Sequence, residues 1–109
     1  MTTQDIETFL DEMVQRIVER FHPEKIILFG SHARGDADPD SDFDILVLMP
    51  VTHSTRHTAN EIDLALADRT IPLDIIVVTP EQYEWRKNVT GTVEYEAASE
   101  GRIVYERAA

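Results

Sequence analysis

Two aspartates separated by a single residue lie at the start of an apolar run. Asp42 and Asp44 flank Phe43, and residues 45–48 continue as an apolar stretch typical of a buried strand. Because side chains alternate along a strand, both carboxylates point to the same side. Two ionised carboxylates this close repel each other, which favours a cation between them. Oxygen-only ligands indicate Mg²⁺, with Mn²⁺ as the alternative.

A third aspartate lies inside another apolar run. Asp74 belongs to residues 73–78, which we interpret as a neighbouring strand, where burying an unpaired carboxylate would be costly. A shared metal site would explain its position, and three carboxylates on two strands can hold two metal ions that neutralise a transferring phosphoryl group. The alternative is that Asp42 and Asp44 cap a strand at a solvated loop, while Asp74 faces solvent from an edge strand.

A glycine–serine pair, Gly30-Ser31, directly follows the first apolar run, residues 25–29. A residue without a side chain lets backbone amides approach a phosphate, and the Ser31 hydroxyl can donate a hydrogen bond to it. This pair therefore suits the triphosphate tail of a nucleotide. An ordinary turn at the end of a strand is the alternative.

Hydrophobic periodicity predicts the elements that position these residues. Apolar residues from Ile6 to Phe21 recur at three- and four-residue steps, which predicts a helix with Thr2 and Asp5 as its capping pair. Thr79 and Pro80 are typical of a helix start. The predicted elements are helices at 6–21, 57–68, 80–85 and 93–100, strands at 25–29, 43–48, 73–78 and 102–105, and a loop at 30–42.

The order of these elements predicts an α/β (α+β) fold. We expect one domain spanning residues 1–109, because a chain of this length can bury one modest core. Its small mixed β-sheet should be covered mainly on one side by helices, and the active surface should lie at the strand ends.

Composition restricts the partners and the compartment. The net charge of -11, from 21 acidic and 10 basic residues, disfavours a long nucleic acid. The chain has no cysteine, which excludes disulfides and thiolate metal sites. The amino terminus lacks the pattern of a secretory signal, and no apolar stretch approaches the ~20 residues that span a bilayer. We therefore expect no membrane partner and a cytoplasmic location.

The two polar motifs together resemble a known family. The segment 30–44 begins with G-S-H-A-R-G and ends with S-D-F-D. This is similar to the G-S-x-A-R-G … S-D-x-D signature of the minimal nucleotidyltransferases in the polymerase β superfamily. The spacing from Ser31 to Asp42, the later strand aspartate and the ending at residues 100–105 also agree. The resemblance covers most of the chain and implies a polymerase β-like nucleotidyltransferase fold.

The resemblance also implies a role for each site residue. Asp42 and Asp44 would bind both metal ions, and Asp74 would bind the catalytic metal and help deprotonate the acceptor hydroxyl. Gly30 and Ser31 would hold the β- and γ-phosphates of ATP. Arg34 also belongs to the signature. It either contacts phosphate or forms a structural salt bridge with one of the acidic loop residues Asp36, Asp38 and Asp40.

A partner protein is implied by the same resemblance. Larger relatives carry a second helical domain that helps bind the acceptor, and this chain has no room for one. In the minimal family the usual companion is a helical HEPN-domain toxin, and the nucleotidyltransferase is the antitoxin of a type VII-like toxin–antitoxin pair, transferring AMP to a tyrosine of the toxin. The alternatives are a catalytically silent module that neutralises a partner by contact, and a transferase acting on a small molecule.

Several other residues invite functional readings that we do not adopt. His53 and His57 have the spacing of a helical metal pair but lack an evident third ligand, so we expect surface histidines. His32 is expected to be a variable loop position. The aromatic residues Tyr83, Trp85 and Tyr95 are suited to stacking on a base, but a small domain needs aromatic core, and we expect all three to pack there.

Overall fold

The structure is a computed structural model that describes residues 2–38 and 40–108. This part of the chain contains five helices and four strands, which alternate except that α4 and α5 are consecutive. In chain order they are α1 (Thr3–Phe21), β1 (Lys25–Phe29), α2 (Ser31–Arg34), β2 (Phe43–Leu48), α3 (Thr55–Ala65), β3 (Leu73–Val78), α4 (Pro80–Arg86), α5 (Val93–Glu100) and β4 (Arg102–Glu106).

The four strands form one mixed sheet in the order β3-β2-β1-β4. Strand β1 pairs antiparallel with both β2 and β4, whereas β2 and β3 are parallel and are joined by the crossover helix α3. The carboxyl end of β1 therefore lies at the same edge of the sheet as the amino ends of β2 and β3. This edge collects the polar residues that follow β1 and those that begin the other two strands.

Alternation along the strands divides the core into two layers. On one face of the sheet the apolar residues of α1 and α3 pack against side chains such as Ile45 and Val77. On the other face α4 and α5 pack against the intervening residues, among them Leu46 and Val78. Both faces are thus covered, and the expectation of helices mainly on one side is wrong. Both α4 and α5 were predicted as helices, but short helices give too little periodic signal to indicate which face of the sheet they cover.

Side-chain caps define where the helices begin. Thr2 and Asp5 form the predicted capping box at the start of α1. Thr79 accepts a hydrogen bond from the backbone of Gln82 and begins α4, as predicted. Helix α3 begins two residues earlier than expected because Ser54 caps it. Each cap is a hydrogen bond between residues three positions apart. Because the contact is local, most helix starts can be predicted from the sequence.

Two further features complete the architecture around the site. Within the expected loop, residues 31–34 form the short helix α2, which polar composition alone could not reveal. The side chain of Gln82 donates to the buried carboxylate of Glu94 over 2.8 Å and joins α4 to α5. None of the helices in the described residues has the length and apolar content needed to cross a membrane.

Candidate active site

The three aspartates lie on one face of the sheet. In the parallel pairing of β2 and β3, Asp44 is the register partner of Asp74, and neighbouring strands lie only about 4.8 Å apart. Asp42 precedes Asp44 by two residues, one residue before β2 begins, and alternation continued from the strand would give it the same direction. The face is that of Leu46 and Val78, which α4 and α5 cover further along the strands. The tertiary structure therefore brings Asp42, Asp44 and Asp74 to one edge.

Their environments differ. Asp44 is half-buried, whereas Asp42 and Asp74 are exposed. Burial raises the pKa of Asp44, and the neighbouring charges of Asp74, Asp42 and Glu96 raise it further. Of the two readings of Asp74, the structure shows the exposed one, because β3 is an edge strand of the sheet. Its exposure leaves it accessible to an incoming group.

Gly30 forms a close junction between β1 and the aspartates. Its φ of 76° and ψ of -158° lie in a region that other residues rarely adopt. A Cβ atom at this position would overlap the carboxylate of Asp44. Glycine is therefore required both by the backbone conformation and by the approach of the Asp44 side chain. The backbone at Gly30 consequently lies directly against the carboxylate edge.

Ser31 is the first residue of α2 and follows Gly30 at this junction. Its backbone carbonyl accepts hydrogen bonds from Gly35 and Asp36, which closes the helix after a single turn. The side chain is half-buried beside the aspartate edge. Gly30 thus lies next to Asp44, and Ser31 follows it directly in the chain.

His32 holds the start of β2 in place. Its ring stacks on Phe43 with centroids 3.9 Å apart and an interplanar angle of 10°. Its Nε2 lies 3.1 Å from the carbonyl oxygen of Ser41, to which it can donate. His32 therefore supports the segment that carries Asp42 and Asp44, a role that the sequence alone did not suggest.

Arg34 forms ion pairs with acidic residues on two sides. Its Nε lies 3.2 Å from Oδ2 of Asp36, and its Nη1 lies 3.4 Å from Oε2 of Glu100 and 3.8 Å from Oε2 of Glu96. The carboxylate of Asp36, and then that of Glu100, raises the pKa of Arg34. Of the two readings of Arg34, the structural salt bridge is present in this structure. The partners on α5 were not anticipated.

An open cleft of about 580 Å³ separates α2 from α5. We call it the α2–α5 cleft. Arg34 is its lining residue from α2, and the others lie in α5 or directly before it: Gly91, Thr92, Val93, Tyr95, Glu96, Ser99 and Glu100. Sequence reasoning missed this cleft. The only available signal was the four-residue spacing of Glu96 and Glu100, which places both on one face of a helix.

The remaining candidates are resolved by their exposure. His53 and His57 are exposed, with rings 5.1 Å apart edge to face, and are surface histidines as expected. Tyr83 is buried in the core, also as expected. Trp85 and Tyr95 are 64% and 38% exposed, so the expectation that they pack in the core is wrong. Each lies on the outward face of its helix, because the opposite face, with Tyr83 in α4 and Ala97 in α5, packs against the sheet.

The donor set suits a hard divalent cation. Across residues 2–38 and 40–108, no three acidic, histidine or cysteine side chains are already gathered as a metal centre. The carboxylates of Asp42 and Asp74 are nevertheless near enough to raise the pKa of Asp44. All-oxygen ligands on two adjacent strands match the preference of Mg²⁺ and Mn²⁺. The residues present therefore fit the ion that the sequence pattern implies.

A small mixed sheet with paired carboxylates at its edge and a glycine–serine turn beside them defines the class of nucleotide-transferring domains. The profile of the nucleotidyltransferase domain family matches residues 10–104, which is most of the chain. The chain belongs to this family.

Two curated relatives share part of the sequence. The protein adenylyltransferase MntA of Thermococcus cleftensis is 45% identical over 47 residues, which are 43% of this chain and 48% of the relative. A Methanocaldococcus jannaschii protein assigned the same activity is 44% identical over 46 residues, 42% of this chain and 37% of the relative. The alignments thus span less than half of the length of each relative.

Solved structures share the fold over most of its length. A Sulfolobus solfataricus protein assigned as a nucleotidyltransferase matches with a TM-score of 0.66 at 19% identity, covering 92% of this chain and 79% of the other. A toxin–antitoxin structure with AMP-PNP matches with a TM-score of 0.53 at 17% identity, covering 89% and 73%. At these identities the likeness establishes the nucleotidyltransferase fold.

Proposed function

We propose that this protein is a metal-dependent adenylyltransferase that moves AMP from ATP to a tyrosine hydroxyl of a helical HEPN-type toxin, acting as its antitoxin in the cytoplasm. The observation that carries the proposal is the register of β2 and β3, which pairs Asp44 with Asp74 beside Gly30-Ser31. The adenylyltransferase name of the Thermococcus relative supports the choice of AMP. The toxin–antitoxin assembly of the structural neighbour with AMP-PNP supports the choice of partner.

Asp42 and Asp44 would hold two Mg²⁺ ions, or Mn²⁺ in their place, and Asp74 would hold one of them. The ions would supply positive charge to the transferring phosphoryl group. Asp74 is exposed and so is open to the acceptor hydroxyl, whose proton it would take. The acceptor oxygen then bonds to the α-phosphorus of ATP, and the bond to the leaving pyrophosphate breaks.

Gly30 and Ser31 would hold the β- and γ-phosphates. The missing Cβ at Gly30 already allows close approach of the backbone, and the Ser31 hydroxyl can donate to a phosphate oxygen. Arg34 is engaged with Asp36, Glu96 and Glu100. In this proposal its function is to hold α2 against α5, rather than to bind phosphate directly.

A partner protein would supply the acceptor. Phosphoryl transfer requires the attacking oxygen in line with the α-phosphate, and such alignment can contribute roughly 7–11 kcal/mol to lowering the barrier. In this proposal the aligned hydroxyl belongs to a second chain, which the toxin–antitoxin assembly of a structural neighbour supports. A toxin bound at the aspartate edge would present its tyrosine there.

The test combines this protein with the HEPN-type toxin encoded beside it, ATP and Mg²⁺, and measures the intact mass of the toxin. We expect a gain of AMP units, located on a tyrosine by peptide mapping. Asp74→Asn should abolish the gain, because it removes a metal ligand and the proton acceptor. Asp11→Asn is the matched control, since it removes an exposed carboxylate on α1 and should leave transfer unchanged.

Each other result has a definite meaning. If the toxin binds without any change in mass, the protein neutralises the toxin by contact and the transferase proposal is wrong. Failure to bind the toxin would remove the antitoxin assignment. If AMP is found on a small molecule and not on the toxin, the protein is an adenylyltransferase with a different acceptor.

A further inference from the structure

The α2–α5 cleft begins where the phosphate-holding residues end. Helix α2 carries Ser31 at its start and Arg34 at its end, which are about 5 Å apart along the helix axis. Glu96 lines the cleft, its Oε2 lies 3.8 Å from Nη1 of Arg34, and its charge helps to raise the pKa of Asp44. The cleft therefore adjoins the candidate active site at Arg34 and Glu96.

The walls of the cleft are suited to a ligand that is flat and donates hydrogen bonds. Tyr95 is 38% exposed on the cleft side of α5, where it leaves aromatic surface uncovered. Glu96 and Glu100 each contact Arg34 through Oε2. Within the described residues their Oε1 atoms form no hydrogen bond or ion pair. Carboxylate oxygens accept hydrogen bonds only, so they favour hydroxyl and amino groups and repel phosphate.

The hydroxyl groups of the cleft are already engaged. Thr92 caps α5 by accepting from the backbone of Tyr95, and it donates to the carbonyl of Val89 over 2.8 Å. Ser99 donates to the carbonyl of Tyr95 over 2.7 Å. These hydrogen bonds stabilise the part of α5 that carries Tyr95. The groups left for a ligand are the Tyr95 ring and the two carboxylates.

We propose that the α2–α5 cleft is the nucleoside subsite, with the base stacked on Tyr95 and the ribose hydroxyls or exocyclic amine donating to Glu96 and Glu100. The inference rests on the proposed function, which places the triphosphate at Gly30-Ser31. The volume of about 580 Å³ lies within the range of small-ligand pockets. The repulsion of phosphate by the carboxylates orients the nucleotide, with its triphosphate at the start of α2 and its nucleoside beyond the end of α2.

The experiment compares two ligands by isothermal titration calorimetry in the presence of Mg²⁺. A non-hydrolysable ATP analogue reports on the phosphate site and the cleft together, and inorganic tripolyphosphate reports on the phosphate site alone. We expect Tyr95→Ala to weaken binding of the analogue about tenfold or more, the range of base–aromatic stacking, and to leave tripolyphosphate binding unchanged. Tyr95→Phe should bind the analogue like the original chain, because it keeps the ring.

Trp85→Ala is the matched control. It removes an exposed aromatic residue from α4, outside the cleft, and should change neither affinity. Circular dichroism of each variant checks that the fold is retained.

Three results would overturn the nucleoside subsite while leaving the proposed function intact. They are analogue binding that Tyr95→Ala does not change, equal weakening of both ligands, and loss of toxin binding with nucleotide affinity retained. The last would make the cleft a docking site for the partner. If the original chain binds neither ligand, the proposed function fails first, and the subsite fails with it.

Discussion

The ionised carboxylate of Asp44 lies in an unfavourable environment when no cation is present. It is half-buried, and the negative charges of Asp74, Asp42 and Glu96 act on it in addition to burial. Its pKa is raised in the folded protein, so the folded state binds a proton at a higher pH than the unfolded state does. The ionised carboxyl therefore destabilises the metal-free protein at neutral pH. This destabilisation is relieved as the pH falls through the raised pKa towards the ordinary value for aspartate.

Asp44→Asn should consequently make the metal-free protein slightly more stable at pH 7, by up to about 1 kcal/mol after allowance for solvent screening. The gain should shrink as the pH falls, because the original chain then becomes protonated at this position. Urea unfolding with a chelator present at several pH values measures both effects. The same variant should lose the proposed transfer of AMP, since Asp44 would be a metal ligand.

A variant less stable than the original chain at pH 7 would mean that the carboxylate forms a stabilising contact, in contradiction to its raised pKa. Retained transfer would contradict its assignment as a metal ligand.

At the scale of elements, the junction between β1 and α2 controls how closely the backbone approaches the carboxylate edge. Gly30 has a backbone conformation that disfavours any side chain, and it lies against Asp44. Gly35, at the other end of α2, also has a positive φ, of 87°, but a Cβ there would meet nothing within 4 Å. An alanine at position 35 would therefore introduce backbone strain alone, whereas an alanine at position 30 would add steric overlap with Asp44.

Gly30→Ala should destabilise the protein by about 1–3 kcal/mol through backbone strain. Displacement of the Asp44 side chain should add to this loss. Gly35→Ala should be destabilising by only about 1–2 kcal/mol, the strain of a left-handed residue. Thermal or urea unfolding of the two variants side by side gives the difference. Equal losses would show that the contact between position 30 and Asp44 has no energetic consequence.

At the scale of the whole molecule, the acidic surface affects how a partner approaches. The net charge of -11 produces a negative field that attracts a basic surface over a distance set by salt, about 10 Å at 0.1 M ionic strength. Steering of this kind changes the rate of association more than the lifetime of the complex. The same charge disfavours a long polynucleotide as the acceptor.

The association rate of this protein with the proposed toxin partner should therefore fall about tenfold or more between low and high salt, within the range of electrostatic steering. The dissociation rate should change much less. Stopped-flow or surface plasmon resonance measurements across a salt series separate the two rates. An association rate that does not depend on salt would mean that the toxin presents no basic face to this surface.

Local patterns account for most of what could be predicted. The first three strands begin and end where apolar runs and their breakers predict, because burial on both faces of a sheet requires continuous apolar residues. The caps at Thr2 and Thr79 are contacts across three residues, and so they are visible in the sequence. Alternation likewise determined that Asp42 and Asp44 share a face.

Tertiary structure decided what contacts these residues from elsewhere in the chain. The pairing of Asp44 with Asp74 follows from the parallel register of β2 and β3, which depends on how α3 returns the chain. The ion pairs of Arg34 with Glu96 and Glu100, and the exposure of Tyr95, follow from the packing of α5 beside α2. Periodicity reports which face of an element is apolar, whereas the identity of the neighbour on that face is settled only when distant segments pack together.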